Sequence, residues 1–474
     1  MIHDTGPTLG HILEALTDYR PTQVEPAVSS FVVDSREALP GSAFIAFRGE
    51  NVDGHDYVAD AFARGAIVAL VEHLPTTGEW AHIDTRVGQV MTPNRLPVCI
   101  IVENTLTALQ RIAGAWRSRF DVRIIGITGS VGKTSTKELT AAVLSQRFRT
   151  LKSEGNQNNE IGVPLTLLNL RPYHERAVIE MGMYALGEID LLCDLARPVI
   201  GVVTIIGPVH LERLGSMEAI ANAKRELVTA LPEDGTAVLN MDDPRVMDMA
   251  PFTKASVFTY GLDSNADLWA DQIESMGLDG VRLTLHHREE ALSVRVPLLG
   301  RHSVHTALRA AAVGLIEGLG WEEIIAGLGS MSSQLRLVVI PGPRGSLLID
   351  DTYNSSPDSA LAALNLLEDL DGRHIAVLGD MLELGDAEHH SHQVVGRRVA
   401  GVADLLITVG RRAEIIAREA VGAGLAANRV RAVGDAPEAV PLLEELVNPG
   451  DVILIKGSLG MKMDRIVTAL GRLD

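Results

Sequence analysis

The chain has 474 residues, 46% of them apolar and only 4% aromatic, with a net charge of −19. That length suggests roughly three domains of ~150 residues each, with aliphatic cores. The acidic balance argues against sequence-independent nucleic-acid binding, which needs clustered cations. It leaves anionic ligands open, because loops and helix N-termini can hold them locally.

Two cysteines, Cys99 and Cys193, fit no CxxC spacing. A disulfide framework is not expected, and a reducing compartment is the simple reading. The start, "MIHDTGPTLG", lacks the basic-then-apolar order of a signal peptide. No apolar run reaches the ~18 residues of a membrane span. A cytoplasmic protein without a membrane span is expected, and a monomer is the simplest state.

In chain order, the first hundred residues mix short strand-like runs ("SSFVVDSR", "SAFIAF", "AIVALVEH") with helical stretches ("HILEALTDY", "DYVADAFARG"). The pattern loosens near "TRVGQVMTPNRLPVCIIVEN". A helical segment, "TLTALQRIAGAWRSRF", then leads to the apolar strand "RIIGIT". Strands and helices alternate from there to "SVFTYG", which predicts a parallel α/β sheet. The stretch from "ADLWADQIES" to "ALSVRVPL" reads as antiparallel hairpins. After the helical region "RHSVHTALRAAAVGLIEGLG" and an "SSQLR" loop, a third alternating unit runs from "GSLLIDDTYN" to "DVILIKGS". The expected fold is α/β in three domains. These are a small mixed α/β domain (1–103), a central P-loop-type parallel-sheet ATPase domain (104–337) and a Rossmann-like C-terminal domain (338–474).

Between "RIIGIT" and the helix "KELTAAVLS" lies "TGSVGKTS", residues 128–135. The usual phosphate loop is G-x-x-x-x-G-K-[ST], but Ile127 stands where its first glycine should be. The shortened loop still has the required context of strand, glycine turn and helix. Thr128, Gly129, Ser130, Val131, Gly132 and Ser135 are the predicted cradle. Lys133 is placed on the β/γ-phosphates of ATP and Thr134 on Mg²⁺. A loop alone fits hydrolases, kinases, synthetases and motors.

Glu180 ends the strand "RAVIE", where open α/β sheets bind ligands, and is a candidate metal carboxylate. His210 follows the strand "VIGVVTII"; from chemistry alone it is evenly a metal ligand or a loop residue. Lys224, on the amphipathic helix "NAKRELVTAL", reads from spacing as a solvated lysine. Asn156, Asn158 and Asn159 in "GNQNNEIGVP" offer paired donors and acceptors, although Asn also favours turns. The "EHHSHQ" tract (His389, His390, His392) has no second Cys/His pair at zinc spacing. It is read as a polar helix entrance.

Together these pieces resemble the Mur ligase family, over nearly the whole chain. "TGSVGKTSTKE", "GNQNNEIGVPLTLL", "AVIEMGM", "GPVHLERLGS" and "NAKRELV" follow in the family's order. "LIDDTYNSSPDS" and "VLGDMLELG" resemble the members that add D-alanyl-D-alanine. The N-terminal "DSREALPGSAFIAFRGENVDGHDY" is similar to the family's UDP-sugar-binding domain.

The resemblance implies ATP-driven amide formation on UDP-MurNAc-tripeptide, with D-Ala-D-Ala as the incoming amine and an acyl phosphate between. It implies that Glu180 and His210 help hold Mg²⁺, and that Lys224 becomes a carbamylated lysine ligating the second Mg²⁺. Lys133, Lys224 and His210 are then the catalytic set. His302, Arg336 and Asp351 fall to ATP. Asp34, Ser35, Arg36, Tyr353, Asn354 and Lys456 fall, with the three asparagines, to the substrates. Two stretches depart from the family pattern. "GRHSVHTALRAA" stands for G-x-H-N-v-x-N-a-L-A-A, with Ser303 and Thr306 at the Asn positions, and "SSQLRLVV" replaces the Pro-Gly-Arg lead-in to Arg336. Sister amide ligases, such as folylpolyglutamate or cyanophycin-type synthetases, are the alternative. A nucleotide-gated assembly protein without ligase chemistry is a more distant one.

Overall fold

The structure is a computed structural model that describes residues 6–17, 26–49, 52–87, 95–330 and 338–471. It is an α/β protein of three domains, each carrying one sheet. By contacts the chain divides into two compact units. One comprises Met1–Gly126, Phe148–Met183 and Gly187–Val199; the other comprises Ile127–Arg147, Tyr184–Leu186 and Ile200–Asp474. Among the described residues, no helix is long and apolar enough to cross a membrane.

The first sheet contains β1 (Phe31–Val32), β2 (Ala43–Ile45), β3 (Val68–Val71), β4 (Ala81–Asp84) and β5 (Val98–Ile101). Its order is β1-β2-β3-β5-β4, with every pairing parallel. β2, β3 and β5 are buried along their whole length, as parallel strands covered on both faces must be.

The second sheet holds β6 (Arg123–Thr128), β7 (Thr150–Lys152), β8 (Arg176–Glu180), β9 (Ile200–Val203), β10 (Thr236–Asn240), β11 (Ser256–Gly261), β12 (Leu268–Ser275), β13 (Val281–His287) and β14 (Glu290–Val296). The order is β14-β13-β12-β11-β10-β9-β6-β8-β7. β6 contributes residues to both compact units. β9, β10, β11 and β12 run parallel, while β12, β13 and β14 form the antiparallel meander expected from their alternating residues. In β13 the burial alternates, Val281, Leu283 and Leu285 in, Arg282 and Thr284 outward, which is the period-2 signature of a one-sided sheet.

The third sheet contains β15 (Val338–Pro341), β16 (Leu347–Asp351), β17 (Arg373–Gly379), β18 (Leu405–Val409), β19 (Val430–Val433) and β20 (Asp451–Lys456), ordered β15-β16-β20-β17-β18-β19. Only β15 is antiparallel. Successive residues of β17 enter opposite cores: Ala376 and Leu378 pack with the helix Pro357–Glu368, Ile375 and Val377 with the helices Ala436–Leu446 and Asp464–Leu470. Because β20 sits between β16 and β17, the carboxyl ends of these strands converge, and Asp351 pairs in register with Lys456. Ligands of open α/β sheets bind at such an edge.

Candidate functional site

β6 delivers the glycine loop from a buried strand into the helix Lys133–Leu144. Gly129 has φ +141, and a Cβ there would lie 1.8 Å from Thr204 Oγ1. Gly132 has φ +84 and starts the helix in the left-handed region. Only glycine fits the first position, and the second strongly favours it. The loop is pinned from behind. Ser130 N–H donates to the Ile205 carbonyl at 2.8 Å, and Thr204 Oγ1 donates to the Val131 carbonyl at 2.7 Å. Lys133 folds back on the loop, with Nζ 2.8 Å from the Gly129 carbonyl and 3.4 Å from that of Ser130.

The Gly129 carbonyl also accepts from Lys224 Nζ at 3.0 Å. Lys224 is buried at 3% exposure on the helix Met217–Thr229, so the solvated reading drawn from spacing is wrong. A helical face that looks amphipathic there turns its lysine inward, under the loop. Burial, and next the charge of Lys133, hold its pKa well below the lysine range. Its amine is therefore readily available in the neutral, nucleophilic form.

His210 adopts a left-handed backbone (φ 61) just after β9 and before the helix Leu211–Leu214. Its Nδ1 lies 2.6 Å from Glu383 Oε2, and Tyr184 meets the ring edge-on at 4.9 Å. Burial lowers its pKa, partly offset by Glu383. With Nδ1 occupied by the carboxylate, Nε2 is the nitrogen left for a ligand, the arrangement of a histidine oriented by a carboxylate behind it.

The loop opens on a cavity of about 890 Å³ within the second unit. Its walls include Ser130, Ser135, His302, Thr306, Tyr353 and Lys456. Lys456 is 1% exposed, and its Nζ donates to Asp351 Oδ2 at 2.6 Å and to the Asn354 carbonyl at 2.9 Å. His302 keeps surface open to solvent, yet burial and the charges of Lys456 and Arg309 lower its pKa to about 4; screening tempers that shift. Ser303 spends its hydroxyl locally, on the Gly300 carbonyl at 2.7 Å.

In the first unit, Glu180 ends β8 at 1% exposure and accepts from Asn158 Nδ2 at 2.9 Å. Asn159 Oδ1 instead takes the Gly162 N–H at 2.9 Å, a local turn role, and Asn156 is exposed. Asp34 caps the short helix Ser35–Glu37, and the Arg36 guanidinium holds its carboxyl down at about 2. Ser35 is buried beneath them. Arg336 lies outside the described residues.

Residues 28–117 match the family described as Mur ligase family, catalytic domain; residues 127–314 match the Mur ligase middle domain; residues 335–459 match the Mur ligase glutamate ligase domain. A UDP-N-acetylmuramoyl-tripeptide–D-alanyl-D-alanine ligase of Synechocystis sp. is 38% identical over 446 residues, covering 94% of this chain and 92% of the relative. The chain belongs to the Mur ligase family. Among solved Mur ligases, MurF of Acinetobacter baumannii superposes with a TM-score of 0.83 at 30% identity, covering 98% of each chain. MurF ligase of Thermotoga maritima in complex with ADP gives 0.77 at 26% identity, covering 93% of this chain and 96% of that one.

Reasoning from sequence missed two residues of this Mur ligase. Glu383 carries no signal within "VLGDMLELG" beyond its charge, and its meeting with His210 is 173 positions distant. Arg309, in "HTALRAA", lines the cavity from the helix Val304–Ile316; an arginine within an alanine-rich run was the available clue. In the "EHHSHQ" tract His389 and His390 are exposed, and the third histidine has both ring nitrogens engaged within the protein. His392 is buried, with Nδ1 donating to the Glu388 carbonyl at 2.7 Å and Nε2 accepting from Met381 N–H at 3.1 Å. Asp53, His55 and His73 cluster closely enough for a metal. Yet His55 spends both nitrogens, on Asp53 Oδ1 at 2.6 Å and Glu72 N–H at 2.8 Å.

Proposed function

We propose that this chain is an ATP-dependent amide ligase that adds D-alanyl-D-alanine to UDP-N-acetylmuramoyl-tripeptide, releasing ADP and phosphate, in peptidoglycan precursor synthesis. The observation that carries this reading is the shortened loop with Lys133 folded onto it, opening on a cavity large enough for a nucleotide. It stands in a chain that aligns almost end to end with ligases named for that reaction.

A carboxylate is a poor electrophile near neutral pH. Phosphoryl transfer from ATP makes it an acyl phosphate, whose C–O bond to phosphate breaks after the incoming amine attacks. The tetrahedral intermediate loses a proton from its new nitrogen to solvent, then collapses, expels phosphate and leaves the amide. Catalysis of the first step is positioning and charge neutralisation. Lys133 turns from the loop carbonyls to the transferring phosphoryl group, and the loop N–H groups and helix N-terminus hold the rest of the chain. Thr128, Gly129, Ser130, Val131, Gly132, Thr134, Ser135, His302, Arg336 and Asp351 are the proposed ATP residues. Asp34, Ser35, Arg36, Asn156, Asn158, Asn159, Tyr353, Asn354 and Lys456 are the proposed substrate residues.

Within the second unit, the Thr134 hydroxyl and the Nε2 face of His210 are donors that suit Mg²⁺. In the first, Glu180 is a buried carboxylate proposed for the same ion on the family resemblance alone. Bound there, it supplies neutralisation of phosphate charge. Lys224 is suited to carbamylation. A neutral amine attacks CO₂, the N–C bond forms, a proton leaves to solvent, and the neutral side chain becomes an anion able to hold metal. The domain limits 1–103, 104–337 and 338–474, a monomeric state and a cytoplasmic location complete the reading.

The test is ADP release by the full chain. It should require both UDP-MurNAc-tripeptide and D-Ala-D-Ala, and Lys133→Ala should abolish it with the far-UV circular dichroism unchanged. Near-normal turnover by Lys133→Ala, or full ADP release with a different acceptor alone, overturns the assignment.

A further inference from the structure

Arg309 sits in the cavity wall with almost no exposed surface. Its Nη1 donates to Thr136 Oγ1 at 2.6 Å, in the first turns of the helix that follows the loop. The guanidinium touches the loop itself: a Cβ on Gly132 would lie 3.0 Å from Nη1. It also lies over Tyr260, 5.8 Å from the ring centre. Its Nε–H has no hydrogen-bond partner among the described residues.

What Arg309 lacks is a counter-charge. Among the described residues no carboxylate forms an ion pair with Arg309; burial, and then the neutral phenol of Tyr260, are what act on its charge. Among the described residues, four carboxylates share the cavity. Asp358 lies against Gly207, with burial and then Asp243 raising its pKa, and Arg309 is not among the charges acting on it. The other three are engaged elsewhere. Asp242 holds His305 Nε2 at 2.7 Å, Asp243 takes the N–H groups of Ile206 and Arg245, and Asp351 holds Lys456. A buried lysine relieves such a situation by losing its proton; an arginine does not. A buried, uncompensated cation is costly unless an anion joins it. The anion-binding element it touches is the glycine loop and the helix N-terminus.

We propose that Arg309 is a nucleotide-binding residue, a second cation on the phosphate loop whose counter-charge is the nucleotide's phosphate chain. Lys133 lies against the carbonyls of Gly129 and Ser130, whereas Arg309 flanks Gly132 and Thr136 at the other end of the loop. Arg309 therefore serves the phosphates that ADP and ATP share, and Lys133 the one that is transferred. The inference rests on the nucleotide reading of the cavity.

The experiment is calorimetric titration of ADP into the full chain, for wild type, Arg309→Met and Arg309→Lys, with urea denaturation of each protein without nucleotide. Wild type binds ADP. Arg309→Met, similar in length but uncharged, weakens ADP binding about 10- to 100-fold, the range for a lost charge-assisted hydrogen bond. Without nucleotide it is at least as stable as wild type, because an unbalanced cation has been removed. Arg309→Lys falls between the two.

ADP binding by Arg309→Met within twofold of wild type overturns the proposal. So does a loss of binding that only tracks a loss of nucleotide-free stability, which marks a brace between helices. If Arg309→Met does not fold, Arg309→Lys decides: several-fold weaker binding supports the proposal and unchanged binding overturns it. Failure of wild type to bind ADP sinks the nucleotide reading itself, a result distinct from the others.

Discussion

His210 Nδ1 lies 2.6 Å from the Glu383 carboxylate, and both residues hold left-handed backbone, φ 61 and φ 62. Such angles are uncommon outside glycine and cost free energy that the surroundings must offset. Two strained residues that meet at one short hydrogen bond mark a built contact. It ties the segment after β9 to the loop after β17.

On the proposed reading of His210 as a metal ligand through Nε2, the Glu383 contact with Nδ1 orients its ring. Glu383→Ala should lower the rate of ADP release about 10-fold or more, within the range for losing a carboxylate that orients a ligand histidine. Glu383→Gln keeps an acceptor for Nδ1–H and should lose less. Initial rates for both variants check this; equal rates for Glu383→Ala and wild type sink the orienting role.

Gly129→Ala should be among the most damaging single-methyl changes in the chain. The added Cβ would stand 1.8 Å from Thr204 Oγ1, 2.9 Å from Thr204 Cβ and 3.0 Å from Thr204 N. Shortening Thr204 to alanine removes the first clash and leaves the contacts with Cβ and backbone. We expect Gly129→Ala to cost about 3 kcal/mol or more by urea denaturation, and Gly129→Ala/Thr204→Ala to recover only part of it. Full recovery in the double variant means the backbone clash is not limiting.

Lys224→Met should separate stability from activity. In the folded protein the lysine pKa is depressed, so between that value and about 10.4 the unfolded chain binds a proton that the folded chain does not. Wild-type stability therefore gains on the variant as pH rises. At pH 7 without CO₂ or nucleotide, Lys224→Met should be more stable by about 1 kcal/mol or more, with the gap narrowing at pH 9. Its ligase activity should be lost, and wild-type activity should fall when CO₂ is removed and return with bicarbonate. A variant that keeps full activity excludes the carbamate role.

The alternation of strands and helices was legible because parallel strands buried on both faces read as unbroken apolar runs, as in "RIIGIT" and "DVILIK". The loop was legible for a related reason: its glycines, Lys133 and Thr134 act through local geometry. Lys224 was not. Nothing in a 13-residue helix says which face a loop will cover, and burial is what changes that residue's chemistry. Glu383 and Arg309 were illegible for the same reason, since each acts through a partner 173 positions away in sequence. The resemblance gives Asp351 to ATP and Lys456 to the substrates, and the structure joins them in one ion pair.

His392 supplies a prediction about pH that is independent of turnover. Its ring is fully buried and fixed in one tautomer, Nδ1–H donating to Glu388 and Nε2 accepting from Met381 N–H. Protonating Nε2 would set a donor against a donor, and burial, the leading cause, lowers the pKa from 6.5. The sign follows: below 6.5 the unfolded chain takes up a proton that the folded chain refuses, so stability declines as pH falls through the depressed folded value. Above about 7.5 the residue contributes no slope. His392→Gln keeps an acceptor near Nε2 and cannot titrate. Its stability should be about 1 kcal/mol below wild type at pH 7.5, for the lost Nδ1 hydrogen bond. That gap should shrink by pH 5, because wild type alone loses this contribution. Because Met381 leads into the loop carrying Glu383, the lost bond should also raise hydrogen exchange there. Urea denaturation of both proteins at the two pH values decides the matter, and a gap that widens on acidification is incompatible with a neutral buried ring.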